Sequence, residues 1–488
     1  MQLLSLKNFS VSVKGHFLFY IDQLNIESGD KIGLIGANAS GKSTFLNTIL
    51  KTDLSYSAGN FMRKGRWSYF KQKSKDIPIV DSWEQIGRWG LEDFYYREDR
   101  NFSGGEEARL RLAKVFAEPH DMLLLDEPTA HLDQEAITEL KHQLSQEDTF
   151  ILVSHDRNFL NEFCHRLLVI QDKKLLDYPG NYDAWKAQNE LDRQSKIHAY
   201  EKAKQEERRL LSVMEEQKRR AARTQRKPRN ISSSDAKSKA FGAVGKSIGG
   251  KEKSLSAAAK NTKKRLERLG EIKKPTSPTK IRPDFRITDP PQNKIIVEID
   301  NLSFSYPNSH LLFDQLTLHL ERNKRVALVG ENGVGKSTLL RLIRDGHPSI
   351  RTVPKAKFGY FDQAFKDIDF NRTILENIHL TSIQAENINR NVLFRMDFPA
   401  EVLGEKAGVL SGGELTKLSF AKLFVSDCNV LLIDEPSNYL DIPSYEAIEA
   451  LLLDFEGSML FTSHDVYLVE TVAEEIFELK NQKLVRLK

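Results

Sequence analysis

Five short motifs occur twice along this chain and in the same order, and this internal repeat constrains the fold more than any other feature. The pairs are GANASGKST (36–44) and GENGVGKST (330–338), YFKQ ending at Gln72 and YFDQ ending at Gln363, FSGGE (102–106) and LSGGE (410–414), MLLLDEPTAHLD (122–133) and VLLIDEPSNYLD (430–441), and LVSHD (152–156) and FTSHD (461–465). The offsets between them are 294, 291, 308, 308 and 309 residues. One insertion of about seventeen residues in the second copy explains this series, so the repeat predicts two domains of one kind.

The glycine-rich motif indicates a loop that binds phosphate groups. Glycines let its backbone N–H groups surround phosphates at the start of a helix, where the helix dipole favours negative charge. Lys42 and Lys336 would reach the β- and γ-phosphates, while Ser43 and Ser337 would offer hydroxyls to Mg²⁺. The candidate nucleotide-binding residues are Gly36, Asn38, Gly41, Lys42, Ser43 and Thr44 in the first copy and Gly330, Asn332, Gly333, Gly335, Lys336, Ser337 and Thr338 in the second.

The apolar runs MLLL and VLLI, which precede an Asp-Glu pair in each copy, predict buried parallel strands. Asp126 and Asp434 would then lie at strand ends, where a second contact to the metal is expected. Glu127 and Glu435 follow directly and are placed to polarise the water that attacks the γ-phosphate. The predicted fold class is α/β, with two P-loop domains in tandem, and the predicted cofactors are ATP and Mg²⁺.

Together these motifs resemble the ATP-binding cassette family, and the resemblance covers nearly all of both repeats. It implies that Gln72 and Gln363 contact Mg²⁺ and the attacking water. It also implies that His155 and His464, which we call the switch histidines, contact the γ-phosphate. Both sites keep the lysine, the two acids and the histidine, so hydrolysis is expected at both.

The family resemblance further assigns SGGE as the signature loop, which completes the ATP site of the opposite cassette. Its residues are Ser103, Gly104 and Gly105 in the first copy and Ser411, Gly412 and Gly413 in the second. One ATP is therefore expected between Lys42 and Ser411, and another between Lys336 and Ser103. Asp133 and Asp441 would lie at the interface between the cassettes.

The first cassette departs from the family pattern at several positions. Ala39 stands where the second loop has Gly333, and its side chain restricts the backbone. Phe304 and Tyr306 are a plausible platform for adenine in the second cassette, whereas the first has Val11 and Val13. Stacking there would fall to a nearby aromatic residue, Phe17 or Phe19. Phe102 replaces the usual leucine before SGGE.

The segment between the repeats is strongly basic. Residues 186–280 contain 27 Lys or Arg and 11 Asp or Glu, a net charge of +16, whereas the whole chain is +4 and the remainder therefore −12. Such a concentrated positive surface is typical of a nucleic-acid ligand. A solvated, disordered linker is the alternative that charge alone would favour.

Residues 182–225 contain no Pro or Gly and predict one helix, about 65 Å long. A second run, about 251–269, has apolar residues three and four apart, which suggests an antiparallel helical hairpin. Pro, Ser and Gly between the runs predict a tip near 228–250. The expected domains are a first cassette (1–185), a basic helical linker (186–285) and a second cassette (286–488).

Paired cassettes without a membrane domain, joined by a charged helical connector that opens with a YxGNY-like turn (178–182), resemble the ABC-F proteins. In that family the connector enters the tRNA exit site of the ribosome and points toward the peptidyl-transferase centre. The resemblance implies the bacterial 70S ribosome as partner, through large-subunit rRNA and peptidyl-site tRNA. KSIGGKEK (246–253) resembles the segment after the apex in macrolide-protecting relatives, which places the apex at Phe241, Gly242, Ala243 and Val244.

Three function classes follow. The first is an ATPase that protects the ribosome by displacing antibiotics from the large subunit, and the second is a housekeeping translation factor that relieves stalled ribosomes. The third, the ATPase subunit of a drug exporter, leaves the basic linker without a use. Two cysteines outside any CxxC pair, a strand-like start and no apolar run of about twenty residues lead us to expect a cytoplasmic protein. Because the two cassettes of one chain are expected to pair with each other, we expect a monomer.

Overall fold

The computed structural model describes most of the chain. The described residues are 1–13, 15–50, 59–71, 80–92, 104–129, 132–225, 260, 264, 283–307, 310–331, 333–361, 365–436, 440–463 and 465–488. They divide into two compact units, one formed by 1–185 together with 279–488 and the other by 186–278.

The first cassette is an α/β domain built on one sheet. Its described elements are β1 (Gln2–Val13), β2 (His16–Glu27), β3 (Lys31–Gly36), α1 (Lys42–Leu50), β4 (Asn60–Arg63), β5 (Trp67–Phe70), α2 (Trp83–Arg88), α3 (Gly104–Ala117), β6 (Met122–Asp126), α4 (Gln134–Gln146), β7 (Phe150–Val153), α5 (Arg157–Phe163), β8 (Arg166–Gln171) and β9 (Lys174–Pro179). The strand order is β4-β1-β2-β9-β8-β3-β7-β6-β5, and β8, β3, β7, β6 and β5 run parallel.

The linker begins with one long helix, α6 (Tyr182–Gln225), and this confirms the predicted helix. Its sequence is polar, and three ion pairs between residues three apart lie along its surface, at Glu190–Arg193, Lys204–Glu207 and Glu206–Arg209. The second helical run lies outside the described residues except for Lys260 and Lys264, and the predicted apex at 241–244 lies outside them entirely.

The second cassette repeats the architecture with its antiparallel part as a separate sheet. Its described elements are a 3₁₀ turn (Phe285–Thr288), β10 (Ile295–Ser305), β11 (Leu311–Glu321), β12 (Arg325–Val329), α7 (Lys336–Arg344), β13 (Ile350–Thr352), β14 (Phe358–Phe361), α8 (Ile374–His379), α9 (Glu386–Arg395), two 3₁₀ turns (Ala400–Val402, Ala407–Val409), α10 (Gly412–Val425), β15 (Val430–Asp434), α11 (Ile442–Asp454), β16 (Ser458–Thr462), α12 (Val466–Val472), β17 (Glu475–Lys480) and β18 (Lys483–Arg486). The two sheets have the orders β11-β10-β13 and β14-β15-β16-β12-β17-β18.

Burial on both faces of the parallel sheets explains the continuous apolar runs. In β6, Leu123 and Leu125 pack into one core cluster, while Met122 and Leu124 pack into the cluster on the other face. Strand β15 divides in the same way between two clusters of the second cassette. Because successive side chains of a strand point to opposite faces, a strand covered on both sides must be apolar throughout. This confirms the buried parallel strands predicted before each Asp-Glu pair.

The chain reaches the second cassette a few residues before the predicted boundary at 285/286. The amide of Asp284 donates to Oε1 of Gln384 (3.1 Å), and Thr288 is fully buried. These contacts tie the segment to the second cassette, and residues 279–488 group with the compact unit of the cassettes.

Candidate nucleotide-binding sites

The first glycine-rich loop lies between β3 and α1. Gly41 has a φ of +103°, and a Cβ atom there would lie 3.1 Å from the ring of the buried Phe19. The ammonium of Lys42 donates to the carbonyl oxygens of Gly36 (2.7 Å) and Ala37 (3.2 Å). The lysine therefore closes the loop at the N-terminus of α1, where backbone N–H groups favour an anion.

The second loop, between β12 and α7, has the same geometry. Gly335 has a φ of +112°, and a Cβ atom there would come within 2.8 Å of the ring of Phe313. Lys336 donates to the carbonyl oxygens of Gly330 (2.7 Å) and Glu331 (2.9 Å). The neighbouring Asn332 lies outside the described residues.

The substitution of glycine by alanine in the first loop does not change the backbone conformation. Ala39 has a φ of +59° and Gly333 a φ of +77°, so both occupy the left-handed region. For alanine this region costs about 1–2 kcal/mol, because its Cβ approaches the following carbonyl oxygen. The first loop therefore keeps its shape against a local strain that the second loop does not have.

The two aspartates predicted to bind the metal, Asp126 and Asp434, lie at the ends of their strands and accept hydrogen bonds from the loop serines. Asp126 takes a hydrogen bond from Ser43, and the hydroxyl of Tyr69 donates to Asp126 Oδ2 (3.3 Å). Burial raises the pKa of Asp126, and these hydrogen bonds and the charge of Lys42 oppose the rise. A carboxylate beside a hydroxyl at the foot of a phosphate-binding loop is the oxygen ligand set that Mg²⁺ prefers.

The second site holds its aspartate with one more hydroxyl. Ser337 and Thr462 both donate to Asp434 Oδ1, each over 2.9 Å. The backbone N–H of Glu435 donates in turn to Oγ1 of Thr462 (3.0 Å). Thr462 is fully buried at the end of β16, and an offset of 309 residues pairs it with Val153 of the first cassette.

The predicted catalytic glutamates share an unusual backbone conformation. Glu127 has a φ of +52° and Glu435 a φ of +49°. In residues other than glycine, a left-handed backbone conformation costs about 1–3 kcal/mol, and such residues cluster at functional sites. Each glutamate lies within range of the charge of its loop lysine, Glu127 with Lys42 and Glu435 with Lys336.

In the first site the glutamate and the switch histidine are in contact. Glu127 Oε1 lies 3.1 Å from Nε2 of His155, and both groups are largely buried. Burial raises the pKa of Glu127 to about 8, against the charge of Lys42, and burial lowers the pKa of His155 to about 3. A carboxylate whose pKa is raised is a stronger base than a free carboxylate, which suits it to accept a proton from water during hydrolysis.

The donor set of both sites fits ATP with Mg²⁺. Each site combines a glycine loop that a Cβ atom would obstruct, a buried lysine, a serine hydroxyl, an aspartate and a glutamate in one place. These residues are the groups that would hold the nucleotide and the metal.

The predicted adenine platform differs between the cassettes. Tyr306 is 44% exposed, packs edge-on against Phe304 and lies with its hydroxyl 3.2 Å from Oγ1 of Thr338. In the first cassette Phe19 is fully buried against Phe45, so our expectation that it stacks on the base is wrong. Phe17 is 48% exposed and stays a candidate.

The described signature loop begins a helix. Ser411 is the N-cap of α10, and it forms a capping box with Glu414, in which each side chain accepts from the backbone N–H of the other residue. Gly412 and Gly413 form the first turn of α10, and Gly104 and Gly105 begin α3.

The second cassette contacts the first phosphate-binding loop directly. Oδ2 of Asp441 accepts a hydrogen bond from the backbone N–H of Asn38 (2.5 Å), while its Oδ1 caps α11 through Ser444. Asp133 caps α4 in the same way and pairs with Arg109 of its own cassette (3.0 Å). An acid of the opposite cassette thus contacts the glycine-rich loop of the first site.

Several predicted site residues lie outside the described part of the chain. They are Gln72, Ser103, Asn332, Gln363 and His464. Sequence reasoning in turn missed two polar residues that contact predicted site residues, Tyr69 and Thr462. Tyr69 lies three residues before the predicted Gln72 on an adjacent parallel strand, and only the pairing of β5 with β6 places it beside Asp126.

The fold and these sites define a class: the chain is a tandem of two ATP-binding cassette domains, each carrying a complete P-loop with its acids. Residues 21–130 and 313–438 match the profile of the family described as "ABC transporter". Domains of this class bind ATP and hydrolyse it. Among the described helices none is both long enough and apolar enough to cross a membrane.

The chain belongs to the ABC-F family of these proteins. It is 33% identical to the "Erythromycin resistance ATP-binding protein MsrA" of Staphylococcus epidermidis, over 95% of this chain and 95% of that protein. It is 29% identical to the "Ribosome protection protein VmlR" of Bacillus subtilis (strain 168), over 98% and 87% of the two chains. The "ABC transporter F family member 5" of Arabidopsis thaliana is 26% identical over 98% and 75%.

Solved structures support the fold at lower sequence identity. The structure titled "RNase-L Inhibitor" covers 99% of this chain and 91% of its own, with a TM-score of 0.62 and 14% identity. The archaeal ribosome recycling factor aABCE1, in complex with the ribosomal stalk protein aP1, matches with a TM-score of 0.62 and 15% identity, over 96% and 87% of the two chains. At this identity the match concerns the tandem-cassette fold alone.

Proposed function

We propose that this chain is an ATP-dependent ribosome protection protein of the bacterial cytoplasm. In this proposal it binds the tRNA exit site of the 70S ribosome, contacts large-subunit rRNA and peptidyl-site tRNA through its linker, and displaces antibiotics from the large subunit. The single observation that carries the proposal is similarity over nearly the whole chain to two relatives whose names state ribosome protection and erythromycin resistance.

The charge of the linker supports an RNA partner. Residues 186–280 carry a net charge of +16, while the remainder of the chain sums to −12. Lysine and arginine that meet phosphate groups release condensed counterions, which favours binding. An acidic pair of cassettes with a basic linker therefore directs the linker rather than the cassettes toward RNA.

Each candidate residue has a role in this proposal. The phosphates are bound by Lys42 and Lys336. Mg²⁺ is bound by Ser43, Asp126 and Gln72 in the first site and by Ser337, Asp434 and Gln363 in the second. Water is polarised by Glu127 with His155 and by Glu435 with His464. The metal, when bound, neutralises charge on the β- and γ-phosphates. The signature residues around Ser103 and Ser411 hold the opposite nucleotide, so ATP joins the cassettes and hydrolysis separates them.

The central test is ribosome association of a variant that binds ATP without hydrolysing it. The double variant Glu127→Gln, Glu435→Gln should lose turnover by roughly a hundredfold or more, since it removes both catalytic carboxylates. Saturated with ATP, it should co-sediment with bacterial ribosomes, and adding Lys42→Ala and Lys336→Ala should abolish this association. If the ATP-saturated double variant stays in the supernatant, the proposed function is wrong.

Resistance is tested by growth of a sensitive bacterium that expresses the chain under several large-subunit antibiotics. Protection should also appear in a purified translation reaction, where no membrane is present and export cannot operate. If protection is seen in cells only, together with increased efflux, the chain acts as part of an exporter instead.

The proposed apex of the linker has its own test. Replacing Phe241 and Val244 by alanine should reduce protection because these are the apolar side chains proposed to approach rRNA bases or the drug. Replacing Ser232 and Ser233 by alanine is the matched control in the same segment and should preserve protection. Equal protection by both double variants would remove the apex assignment while leaving the ATPase proposal unaffected.

A second candidate is a translation factor that relieves stalled ribosomes. The observation in its favour is a relative named only as an ATP-binding protein, the "Putative ATP-binding protein YdiF" of Bacillus subtilis (strain 168). It is 30% identical, close to the 29% of VmlR, although over 79% of this chain and 56% of its own length. Protection against no antibiotic, together with altered stalling on defined messages, would favour this role.

A further inference from the structure

Arg157 is a deeply buried charged residue between the two cassettes. It lies two residues after His155, at the start of α5, and its side chain is 1% exposed. Its Nη1 lies 2.9 Å from Oε2 of Glu449, and its Nη2 lies 3.2 Å from Oδ2 of Asp465. Both acids belong to the second cassette, so the guanidinium of one cassette is held by carboxylates of the other.

Two tyrosine rings of the second cassette also lie against this guanidinium. Its Cζ lies 4.8 Å from the ring centroid of Tyr445 and 5.1 Å from that of Tyr467. A buried charge is tolerated only when it is paired and hydrogen-bonded, and aromatic faces add to its stabilisation. The hydroxyl of Tyr182 also contacts Arg157 from the first cassette, but it is a neutral group and donates to Glu446 of the second cassette. Both carboxylates that pair with Arg157 come from the second cassette, so its charge is paired by them only while the cassettes are together.

The arrangement is built on one side of the repeat only. The offset of 309 residues between the switch loops places Val466, which is 51% exposed, at the position equivalent to Arg157. The offset of 308 residues places Lys141 at the position equivalent to Glu449, and Lys141 pairs with Glu162 inside its own cassette (2.6 Å). The mirror-related positions therefore cannot form the same ion pair.

The ion pair also joins the chain segments of both switch histidines. Asp156, between His155 and Arg157, caps α5 through the N–H of Asn158 (2.8 Å). Asp465 follows His464 directly and caps α12 through the N–H of Tyr467 (2.8 Å). The guanidinium of Arg157 thus bridges the residues that begin the helices after both switch loops.

We infer that Arg157 is a positioning residue that couples the two ATP sites: it links the switch loop of the first site to that of the second when the cassettes close. This inference rests on the proposed ATP sites but not on the ribosome as partner. It predicts that nucleotide in the first site strengthens nucleotide binding in the second, and that the coupling passes through Arg157, Glu449 and Asp465.

Closure can be followed without turnover. Cys164 and Cys428 are buried, so spin labels can be directed to cysteines introduced at the exposed positions Lys64 and Glu401 in the Glu127→Gln, Glu435→Gln background. With ATP the label distances should shift to a closed population. Arg157→Met should reduce the closed-to-open ratio by roughly tenfold or more, since it leaves two buried carboxylates without their partner.

Arg166→Met is the matched control, because Arg166 pairs with Asp30 (2.7 Å) and Asp177 (2.6 Å) inside the first cassette. It should leave closure unchanged. Glu449→Gln keeps a hydrogen-bond acceptor and removes one charge, so it should give an intermediate closed population. If Arg157→Met fails to fold, the closed population of Glu449→Gln tests the inference instead.

Coupling itself is measured with a fluorescent ATP analogue on ribosome-free protein. Lys42→Ala, which empties the first site, should weaken analogue binding at the second site in the parent chain and should have no further effect in Arg157→Met. Full closure of Arg157→Met, or additive effects of the two substitutions, would overturn the inference. Normal coupling without ribosome binding would instead contradict only the proposed function.

Discussion

At the scale of single residues, the two ATP sites use the same acids but support them differently. The second site has Thr462 between Asp434 and Glu435, where the first has Val153. The first site has a strained alanine where the second has glycine. The other residues that surround these positions have direct equivalents in the two sites. We therefore expect any difference in activity between the sites to arise at these two positions.

Replacing Thr462 by valine tests this divergence, because valine has the same shape and is the residue of the first cassette. Measured as phosphate release in the Glu127→Gln background, where only the second site turns over, Thr462→Val should lower the rate roughly five- to tenfold through loss of one buried hydrogen-bonding hydroxyl. Val153→Thr in the Glu435→Gln background is the reciprocal control. An unchanged rate would mean that Ser337 alone orients Asp434.

At the scale of secondary-structure elements, helix starts lie at most of the functional positions. Helices α1 and α7 begin at the loop lysines, α10 begins at the signature loop, and α4, α5, α11 and α12 begin at aspartates of the other motifs. Backbone N–H groups at these starts have no partner within the helix. The same motif residues therefore both end the loops and cap the helices.

Ser411 shows how the two roles can be separated. Ser411→Ala removes the capping box of α10 and should destabilise the second cassette by about 1 kcal/mol, which lowers its unfolding temperature by about 2–4 °C. Ser411→Asp keeps an acceptor for the helix and should retain the stability, but it places a negative charge toward phosphate. Calorimetry with and without ATP distinguishes the two roles. If Ser411 also contacts the nucleotide, both variants should lose the stabilisation that ATP gives to the parent chain.

At the scale of the whole molecule, charge is divided between the linker and the rest of the chain, with +16 in residues 186–280 and −12 outside them. The described part of the linker helix pairs several of its charges internally, at Glu190–Arg193 and Lys204–Glu207 for example. The net positive excess remains after such pairing and is available to a polyanion.

Salt dependence follows from this division. If six or more phosphates are contacted, ribosome association should weaken about a thousandfold between roughly 50 and 200 mM monovalent salt. The measurement is co-sedimentation of the ATP-saturated, hydrolysis-deficient protein across that range. ATP binding measured over the same range is the control and should change far less, and an equally flat response of both would contradict an RNA-facing linker.

The sequence by itself determined the repeated α/β fold, and it predicted the loop lysines, serines and strand-end acids that the described structure brings together, because these depend on local patterns. A glycine loop before a lysine, or an apolar strand before two acids, has the same meaning wherever it occurs. The helix at 182–225 could be predicted for the same reason, from the absence of helix-breaking residues.

Only the tertiary structure decided how the two cassettes meet. The bond from Asn38 to Asp441 and the pairing of Arg157 with Glu449 and Asp465 join residues about 300 or more positions apart. No periodicity or spacing signals that Arg157 is buried, since arginine is exposed in most settings and its partners lie in another domain. The burial of Phe19 was missed for the same reason: an aromatic residue near a binding loop packs inward or outward according to what the rest of the fold places beside it.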